Sequence, residues 1–182
     1  MREADPANPH IPAIEQMVAD RGWCVNSFAS VEYLFGDLIW QLRGVPEYSS
    51  ILSGEELPLS LGGRIKKLLE ILGTGGPISP YEDDIRQTIT EMEALSAARQ
   101  YFAHGHCTFL HTPGGDAAMM FRRFVPPPKG GKVSKEAILV RPAEFKEARN
   151  RWTSFSMWAQ NVFARIYDEL GLEDPTSPGQ TG

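Results

Sequence analysis

The stretch Leu95–His106, Leu-Ser-Ala-Ala-Arg-Gln-Tyr-Phe-Ala-His-Gly-His, marks the point where a long helical pattern gives way to an alternating one. The helical period ends at Gly105, and glycine is the residue type that most often closes a helix. Two ionisable side chains, Arg99 and His104, stand just before that glycine. An arginine is always charged and a histidine exchanges a proton near neutral pH. The pair therefore has the chemistry to hold a phosphate and to move a proton.

Helical patterns occupy the chain before this stretch. Residues 12–43 form one long segment that is apolar on most sides, which is typical of a helix central to a core or an interface. A second helix is predicted over residues 59–72, which carry an apolar stripe, and a loop is predicted over residues 45–58 between the two helices. The third helix begins near Ser79, where Ser79 and Glu82 predict a capping box, and it continues into the quoted stretch.

The pattern after Gly105 alternates with a period of two, which predicts antiparallel strands over residues 106–111, 118–125 and 137–140. A last helix is predicted over residues 142–170, with Gly171 as its stop. The expected fold is therefore all-α dominated. We predict a four-helix bundle with a small antiparallel β-hairpin or sheet insertion between the third and fourth long helices.

Length and composition favour one domain. The chain has 182 residues, 42% of them hydrophobic, and a formal net charge of −5. We expect an N-terminal arm over residues 1–11, one helical domain over 12–172 with its β insertion at 105–140, and a disordered tail over 173–182. The acidic balance excludes a generally basic nucleic-acid binder, so any such site must be a local patch.

The chain has no apolar run long enough to span a membrane, and its two cysteines do not form a Cys-x-x-Cys pair. We therefore predict a cytoplasmic protein with free thiols.

Glu32 interrupts the apolar stripe of the first helix. A carboxylate in that position needs a partner or a proton, unless the helix face is open to water. Arg99 lies on the apolar side of the third helix and has the same need. The sequence therefore predicts a Glu32–Arg99 salt bridge. Such a pair could also have a purely structural role.

Arg99 and His104 are five residues apart, which places them about 140° apart on an ideal helix. They would share a site only if the helix end unwound or a second chain completed it. The alternative reading gives both residues structural roles. Arg99 would bridge helices, and His104 would bind the last carbonyl groups of its own helix.

The residues Arg99-Gln100-Tyr101-Phe102-Ala103-His104-Gly105 resemble the Arg-Asn-x-x-Ala-His-Gly form of the Arg-x4–6-His motif in HEPN domains. Such domains are α-helical bundles, usually dimeric, of prokaryotic defence, toxin–antitoxin and RNA-processing systems. Active members are metal-independent endoribonucleases, whose arginine and histidine meet in a cleft at the dimer interface. Gln100 stands where this form of the motif has asparagine.

This resemblance implies a homodimer without a cofactor, in which Arg99 clamps the transition state and His104 is the acid or base. Glu32 and Gln100 would be supporting polar residues. Two other functions remain open. One is a non-catalytic HEPN-like module that binds nucleic acid or a protein partner, and the other is an adaptor in which the pair only stabilises the fold.

Basic residues cluster in the β region. They could hold an RNA strand through its phosphates, with the interleaved Phe121 and Phe124 stacking on bases. The cluster consists of Arg122, Arg123, Lys129, Lys132, Lys135 and Arg141, and the first four are the candidate substrate-binding residues. The alternative is a solvated rim, because exposed strands often carry lysine and arginine.

Four possible metal ligands lie close together in the sequence: His104, His106, Cys107 and His111. Strand alternation puts His106 on the face opposite Cys107 and His111. Their spacing matches no usual zinc pattern, so we predict no metal site.

The first and last long helices carry more apolar surface than one core requires, and Trp40, Trp152 and Trp158 contribute to it. A large apolar surface left in water is a liability. We therefore predict a homodimer built around one of these helices.

Overall fold

The computed structural model describes residues 11–54, 56–111, 116–127 and 131–173. These residues are mainly helical, and they include a three-stranded antiparallel sheet, so the predicted helix-dominated fold with a small antiparallel sheet is confirmed. The helices are α1 (Ile11–Leu42), α2 (Ser49–Leu52), α3 (Leu61–Gly73), α4 (Glu82–His104) and α5 (Pro142–Leu170). The strands are β1 (His106–His111), β2 (Ala117–Val125) and β3 (Ser134–Val140).

Local signals set several helix ends, and Gly171 closes α5 as the sequence predicts. At the end of α5, Gly171 has a φ of 64°, a left-handed conformation that glycine adopts without strain. The Leu172 amide then donates a hydrogen bond of 2.8 Å to the Tyr167 carbonyl, which closes the helix. At the start of α3, the Ser60 hydroxyl accepts a hydrogen bond from the Gly63 amide at 3.2 Å.

The predicted capping box at Ser79 is wrong. Residues Ser79–Tyr81 form a 3-10 turn ahead of α4, and that turn is preceded by Ile78 without a side-chain cap. A tertiary contact accounts for the difference. The buried Tyr48 hydroxyl accepts a hydrogen bond from the Ile78 amide at 2.8 Å and donates one to the Gly75 carbonyl at 3.1 Å.

The segment that contains Tyr48 is not a plain loop, contrary to the prediction for residues 45–58. A 3-10 turn over Pro46–Tyr48 leads into the single-turn helix α2. Both elements are short and position the tyrosine ring, whose exposed fraction is 0%. Periodicity could not reveal them, because neither is long enough to repeat a pattern.

The sheet has the order β1-β2-β3, and both strand pairs are antiparallel. His106 of β1 lies opposite Arg122 of β2, and Phe124 of β2 lies opposite Lys135 of β3. The predicted bounds of β1 are confirmed, whereas β2 and β3 begin earlier in the chain than predicted. The face that carries Phe121 is the buried one.

The chain divides into two compact units, and α1, α4 and α5 each contribute a segment to both. The described part of the first unit lies within residues 11–27 and 95–153, and that of the second within 28–94 and 154–173. The prediction of one domain over 12–172 stays a prediction. Ile11 already belongs to α1, and the Glu173 amide donates to Gln41 at 2.9 Å. The rest of the predicted arm and tail lies outside the described residues.

An aromatic cluster forms the core of the first unit. The Phe102 ring lies 5.5 Å from the ring of Phe121, 5.1 Å from Phe145 and 5.6 Å from Trp152. Phe102 comes from α4, Phe121 from β2 and the other two from α5, so this cluster holds the end of α4 against the sheet and α5.

The same unit contains a buried carboxylate. Asp20, with an exposed fraction of 2%, accepts hydrogen bonds of 2.9 Å from both Gln16 and Arg149. These bonds satisfy a charge that would otherwise be costly to bury.

In the part of the chain that the structure describes, no helix combines the length and the apolar character needed to cross a membrane.

Candidate functional site

The site lies where α4 ends and β1 begins. His104 is the last residue of α4, His106 is the first of β1, and only Gly105 separates them. A Cβ atom at Gly105 would lie 2.5 Å from the Tyr101 carbonyl oxygen and 3.3 Å from the Phe121 Cβ. The φ angle of Gly105 is not in the left-handed region. Glycine is thus required here for space, because the helix turns directly into the strand.

Arg99 and His104 contact each other within one chain. The Nη1 atom of Arg99 lies 2.9 Å from the Nε2 atom of His104. The expectation that the two residues meet only at an unwound helix end or across two chains is therefore wrong on this point. The helix stays regular through His104, and the long arginine side chain covers the angular and axial separation.

The chemistry of the two groups fixes the direction of this hydrogen bond. A guanidinium group has donors only, so the Nε2 atom of His104 must accept. An Nε2 atom that accepts this bond carries no proton, which assigns the ring proton to Nδ1. Arg99 thereby holds the Nε2 lone pair of His104 in a defined position.

A cavity of about 490 Å³ opens beside His104. Its walls come from the end of α4 and from all three strands. It is lined by Gln100, His104, His106, Arg122, Arg123, Phe124, Pro126 and Lys135. Three of these side chains are permanent cations near neutral pH, and none of the described lining residues is acidic. The cavity therefore suits an anionic ligand.

The register of the sheet builds this lining. Residues directly opposite each other share a face, so His106 lies beside Arg122, and Phe124 lies beside Lys135. Phe124 is 74% exposed, whereas Phe121 is 0% exposed and packs against Phe102. The prediction that both phenylalanines stack on bases is therefore wrong for Phe121, because it points into the core.

The two arginines of the cavity have different surroundings. Arg122 donates a hydrogen bond of 3.1 Å to the Thr108 hydroxyl in the neighbouring strand. Arg123 lies over the Tyr101 ring at 4.3 Å and forms a 3.4 Å ion pair with Glu136. Contacts to protein groups thus position both guanidinium groups at the cavity wall.

Glu136 connects Arg123 to α4. The Tyr101 hydroxyl donates a hydrogen bond of 2.6 Å to the Glu136 carboxylate. That bond, followed by the bond and charge of Arg123, holds the pKa of Glu136 below its ordinary value, although partial desolvation acts in the opposite direction. Glu136 is therefore a fixed anion that balances one cation of the cavity.

The predicted site residues fall into three groups. Gln100, His104, Arg122 and Arg123 line the cavity. Arg99 lies beside His104. Glu32 and the exposed Lys132 are not among the described lining residues, and Lys129 lies outside the described residues.

Glu32 is half-buried, and its backbone carbonyl accepts a 2.7 Å hydrogen bond from Arg64. The predicted Glu32–Arg99 salt bridge stays a prediction.

Sequence reasoning missed His106 and Lys135 as members of one site. The sequence indicates His106 only as a possible metal ligand, and Lys135 only as one of the clustered basic residues. Their signal is the strand register, since each lies opposite a lining residue of β2. Single-strand alternation alone cannot identify those partners.

The possible metal ligands of this region do not form a group. Among the described residues, no three histidine, cysteine or acidic side chains are placed to hold a metal ion together. Cys107 is half-buried, and burial raises the pKa of its thiol, although the positive charge of Arg21 lowers it in part.

No family model, no curated protein and no solved structure matches this chain.

Proposed function

We propose that this protein is a HEPN-like, metal-independent endoribonuclease that cleaves single-stranded RNA. One observation carries the proposal. His104 contacts the Arg99 guanidinium, and it also lines a cavity whose walls include three further positively charged side chains. A proton-transfer group beside a fixed positive charge, within an anion-binding cavity, is what RNA cleavage without a metal requires. The resemblance of residues 99–105 to the Arg-x4–6-His motif supports the same reaction.

The proposed reaction uses the 2′-hydroxyl of RNA as its nucleophile. His104 takes the proton from that hydroxyl, whose oxygen attacks the adjacent phosphorus. Arg99 then stabilises the negative charge that collects on the phosphoryl oxygens, through charge-assisted hydrogen bonds. Arg122, Arg123 and Lys135 hold flanking phosphates in the cavity.

The contact between Arg99 and His104 suits this division of roles. While the guanidinium donates to Nε2, that nitrogen carries no proton and can act as a base. An incoming phosphate offers the guanidinium stronger, charge-assisted bonds than the neutral ring does. The phosphate would therefore draw Arg99 toward itself and leave the Nε2 lone pair available for the 2′-hydroxyl proton.

We also propose that the chain has the fold and the dimeric assembly of HEPN domains. In it, the long helices form a four-helix bundle with the sheet inserted between the third and fourth, and two chains form a homodimer. Tyr33 and Trp40, seven residues apart on α1, are each 57% exposed and lie on one side of that helix. Trp152 does not support the dimer, since it is 3% exposed in the core of the first unit. Trp158 is half-buried against Phe155. Light scattering tests the assembly, because one chain has a mass of 20.2 kDa.

RNA cleavage in the presence of a chelator tests the reaction. Single-stranded RNA should be cut to products with a 2′,3′-cyclic phosphate, whereas DNA should stay intact because it lacks the attacking hydroxyl. His104→Ala should lower the rate by about 10²–10⁴-fold. His111→Ala is a matched control, since His111 is an exposed histidine of β1 that does not line the cavity.

Two further variants examine the rest of the motif. Arg99→Ala should abolish cleavage, and circular dichroism must show that this variant still folds. Gln100→Asn restores the asparagine of the motif on a shorter side chain that lines the same cavity. We expect it to leave the rate unchanged or to raise it.

A second candidate function is a non-catalytic HEPN-like module that binds RNA or a protein partner. It is favoured by the position of Arg99, which contacts His104 but does not itself line the cavity. Protein that leaves RNA intact with and without metal, yet shifts it on a gel, would establish this function instead. Protein that neither cuts nor binds RNA would leave the adaptor role, in which a shared fold carries no shared chemistry.

A further inference from the structure

Cleavage of RNA by its own 2′-hydroxyl needs two proton transfers. One proton leaves the 2′-oxygen as it attacks phosphorus, and another must reach the 5′-oxygen as the phosphorus–oxygen bond breaks. The contact with Arg99 leaves His104 without a proton on Nε2, which suits it to accept the first proton. If the two transfers are concerted, the second needs a different group, because a single histidine would first have to carry the proton from the 2′-oxygen to the 5′-oxygen.

His106 lies in the right place for that transfer. It lines the same cavity as His104, and only Gly105 separates the two histidines in the chain. Because the helix ends at one of them and the strand begins at the other, the two rings belong to different elements on the cavity wall. Both histidines are exposed, so both can reach a bound strand.

A phosphate-binding group accompanies His106. Its cross-strand partner is Arg122, which also lines the cavity and is held by the Thr108 hydroxyl. Opposite residues of an antiparallel pair lie within contact distance on one face. A phosphate bound at Arg122 would therefore bring its bridging oxygen close to the His106 ring.

The other lining residues do not suit the role. Arginine and lysine hold their protons too tightly at neutral pH to be efficient general acids, and this applies to Arg122, Arg123 and Lys135. Gln100, Phe124 and Pro126 have no ionisable proton. Of the described residues that line the cavity, only the two histidines belong to the type that exchanges protons near neutral pH.

We propose that His106 is the general acid of this site. The assignment rests on the proposed ribonuclease function. His104 Nε2 takes the proton of the 2′-hydroxyl while the 2′-oxygen–phosphorus bond forms. The phosphorus–5′-oxygen bond breaks, and a protonated His106 gives its proton to the departing oxygen. The products are a 2′,3′-cyclic phosphate and a 5′-hydroxyl, with His104 protonated and His106 neutral.

A change of leaving group tests this role. In a 5′-bridging phosphorothiolate RNA, the departing atom is sulfur, which leaves as a thiolate and needs no proton. His106→Asn should cleave ordinary RNA about 10²–10⁴-fold more slowly than the wild type. On the phosphorothiolate RNA, the same variant should return to within a few-fold of the wild type. His104→Asn should be slow on both substrates, because both still need the base.

Controls separate the acid role from a structural one. His111→Asn replaces a histidine of the same strand outside the cavity and should behave as the wild type. His106→Gln, checked by circular dichroism beside His106→Asn, provides a second variant should the first fail to fold. His106 variants that equal the wild type on ordinary RNA, or that stay equally slow on both substrates, overturn the assignment. Wild-type protein that cleaves neither substrate overturns the ribonuclease proposal and this assignment together.

Discussion

The guanidinium of Arg99 lies 2.9 Å from the Nε2 atom of His104, at the last turn of one helix. Because the guanidinium can only donate, this geometry fixes the tautomer of the ring. We expect ¹⁵N NMR of the neutral His104 ring to show the proton on Nδ1. In Arg99→Met the donor is lost, and the ring should become a mixture of tautomers. A wild-type ring protonated at Nε2 would contradict the contact.

Arg123 is shared between the cavity and Glu136. The two side chains form an ion pair of 3.4 Å, and the Tyr101 hydroxyl keeps the carboxylate in place. Replacing Glu136 by Gln removes a negative charge beside the cavity, so we expect RNA to bind a few-fold more tightly, with a steeper salt dependence. Fluorescence anisotropy of a labelled oligonucleotide measures both quantities. Glu147→Gln, an exposed acid of α5 away from the cavity, should bind as the wild type does.

Phe124 offers an exposed ring at the cavity wall. It is 74% exposed and lies opposite Lys135, which suits a base stacked on the ring with its phosphate on the lysine. Phe124→Leu should weaken RNA binding by about 1–3 kcal/mol, the usual worth of one stacked base. Its free energy of unfolding should change by less than about 0.5 kcal/mol, since the side chain is on the surface. Phe109→Leu, 40% exposed on β1 and outside the cavity, should bind RNA normally. Equal affinities for all three proteins would exclude stacking on Phe124.

Replacing either of two glycines by alanine should change the free energy of unfolding, in opposite directions at the two positions. A Cβ atom at Gly105 would lie 2.5 Å from the Tyr101 carbonyl oxygen, whereas a Cβ atom at Gly22 in α1 would have no neighbour within 4 Å. Gly22→Ala should raise the free energy of unfolding by about 0.5–1 kcal/mol, because alanine loses less backbone entropy in a helix. Gly105→Ala should lower it by about 1–3 kcal/mol through overpacking. Urea unfolding measures both changes, and a neutral Gly105→Ala would show that the helix end can relax.

The two cysteines should differ in reactivity. Burial is the main cause that raises the pKa of Cys24 to about 12, and the negative charge of Asp20 adds to it. The positive charge of Arg149 lowers that pKa in part. Since the thiolate is the reactive form, Cys24 should resist alkylation at pH 8 in the folded protein. The half-buried Cys107 should react first, although burial also raises its pKa. Mass spectrometry after iodoacetamide treatment distinguishes the two, and denatured protein, in which both react, is the control. Faster modification of Cys24 would mean that its environment opens readily.

Much of the secondary structure could be predicted because its signals are local. The last helix begins at a proline and ends before a glycine, and the predicted bounds of α5 match those observed. The prediction failed at Ser79, where the serine–glutamate pattern suggested a capping box. There, the Tyr48 hydroxyl from a distant part of the chain binds the Ile78 amide. A hydrogen bond between residues thirty positions apart leaves no mark in the local pattern.

The sequence by itself determined where the helix stops and the strand starts, because periodicity and a sterically required glycine act within a few residues. It also supplied the ionisable side chains at that junction. The tertiary structure alone decided which of them share a cavity. Strand pairing put His106 beside Arg122 and Lys135 beside Phe124, and it turned Phe121 into the core. Register depends on pairing in space, and a shift of one residue would reverse every one of these faces.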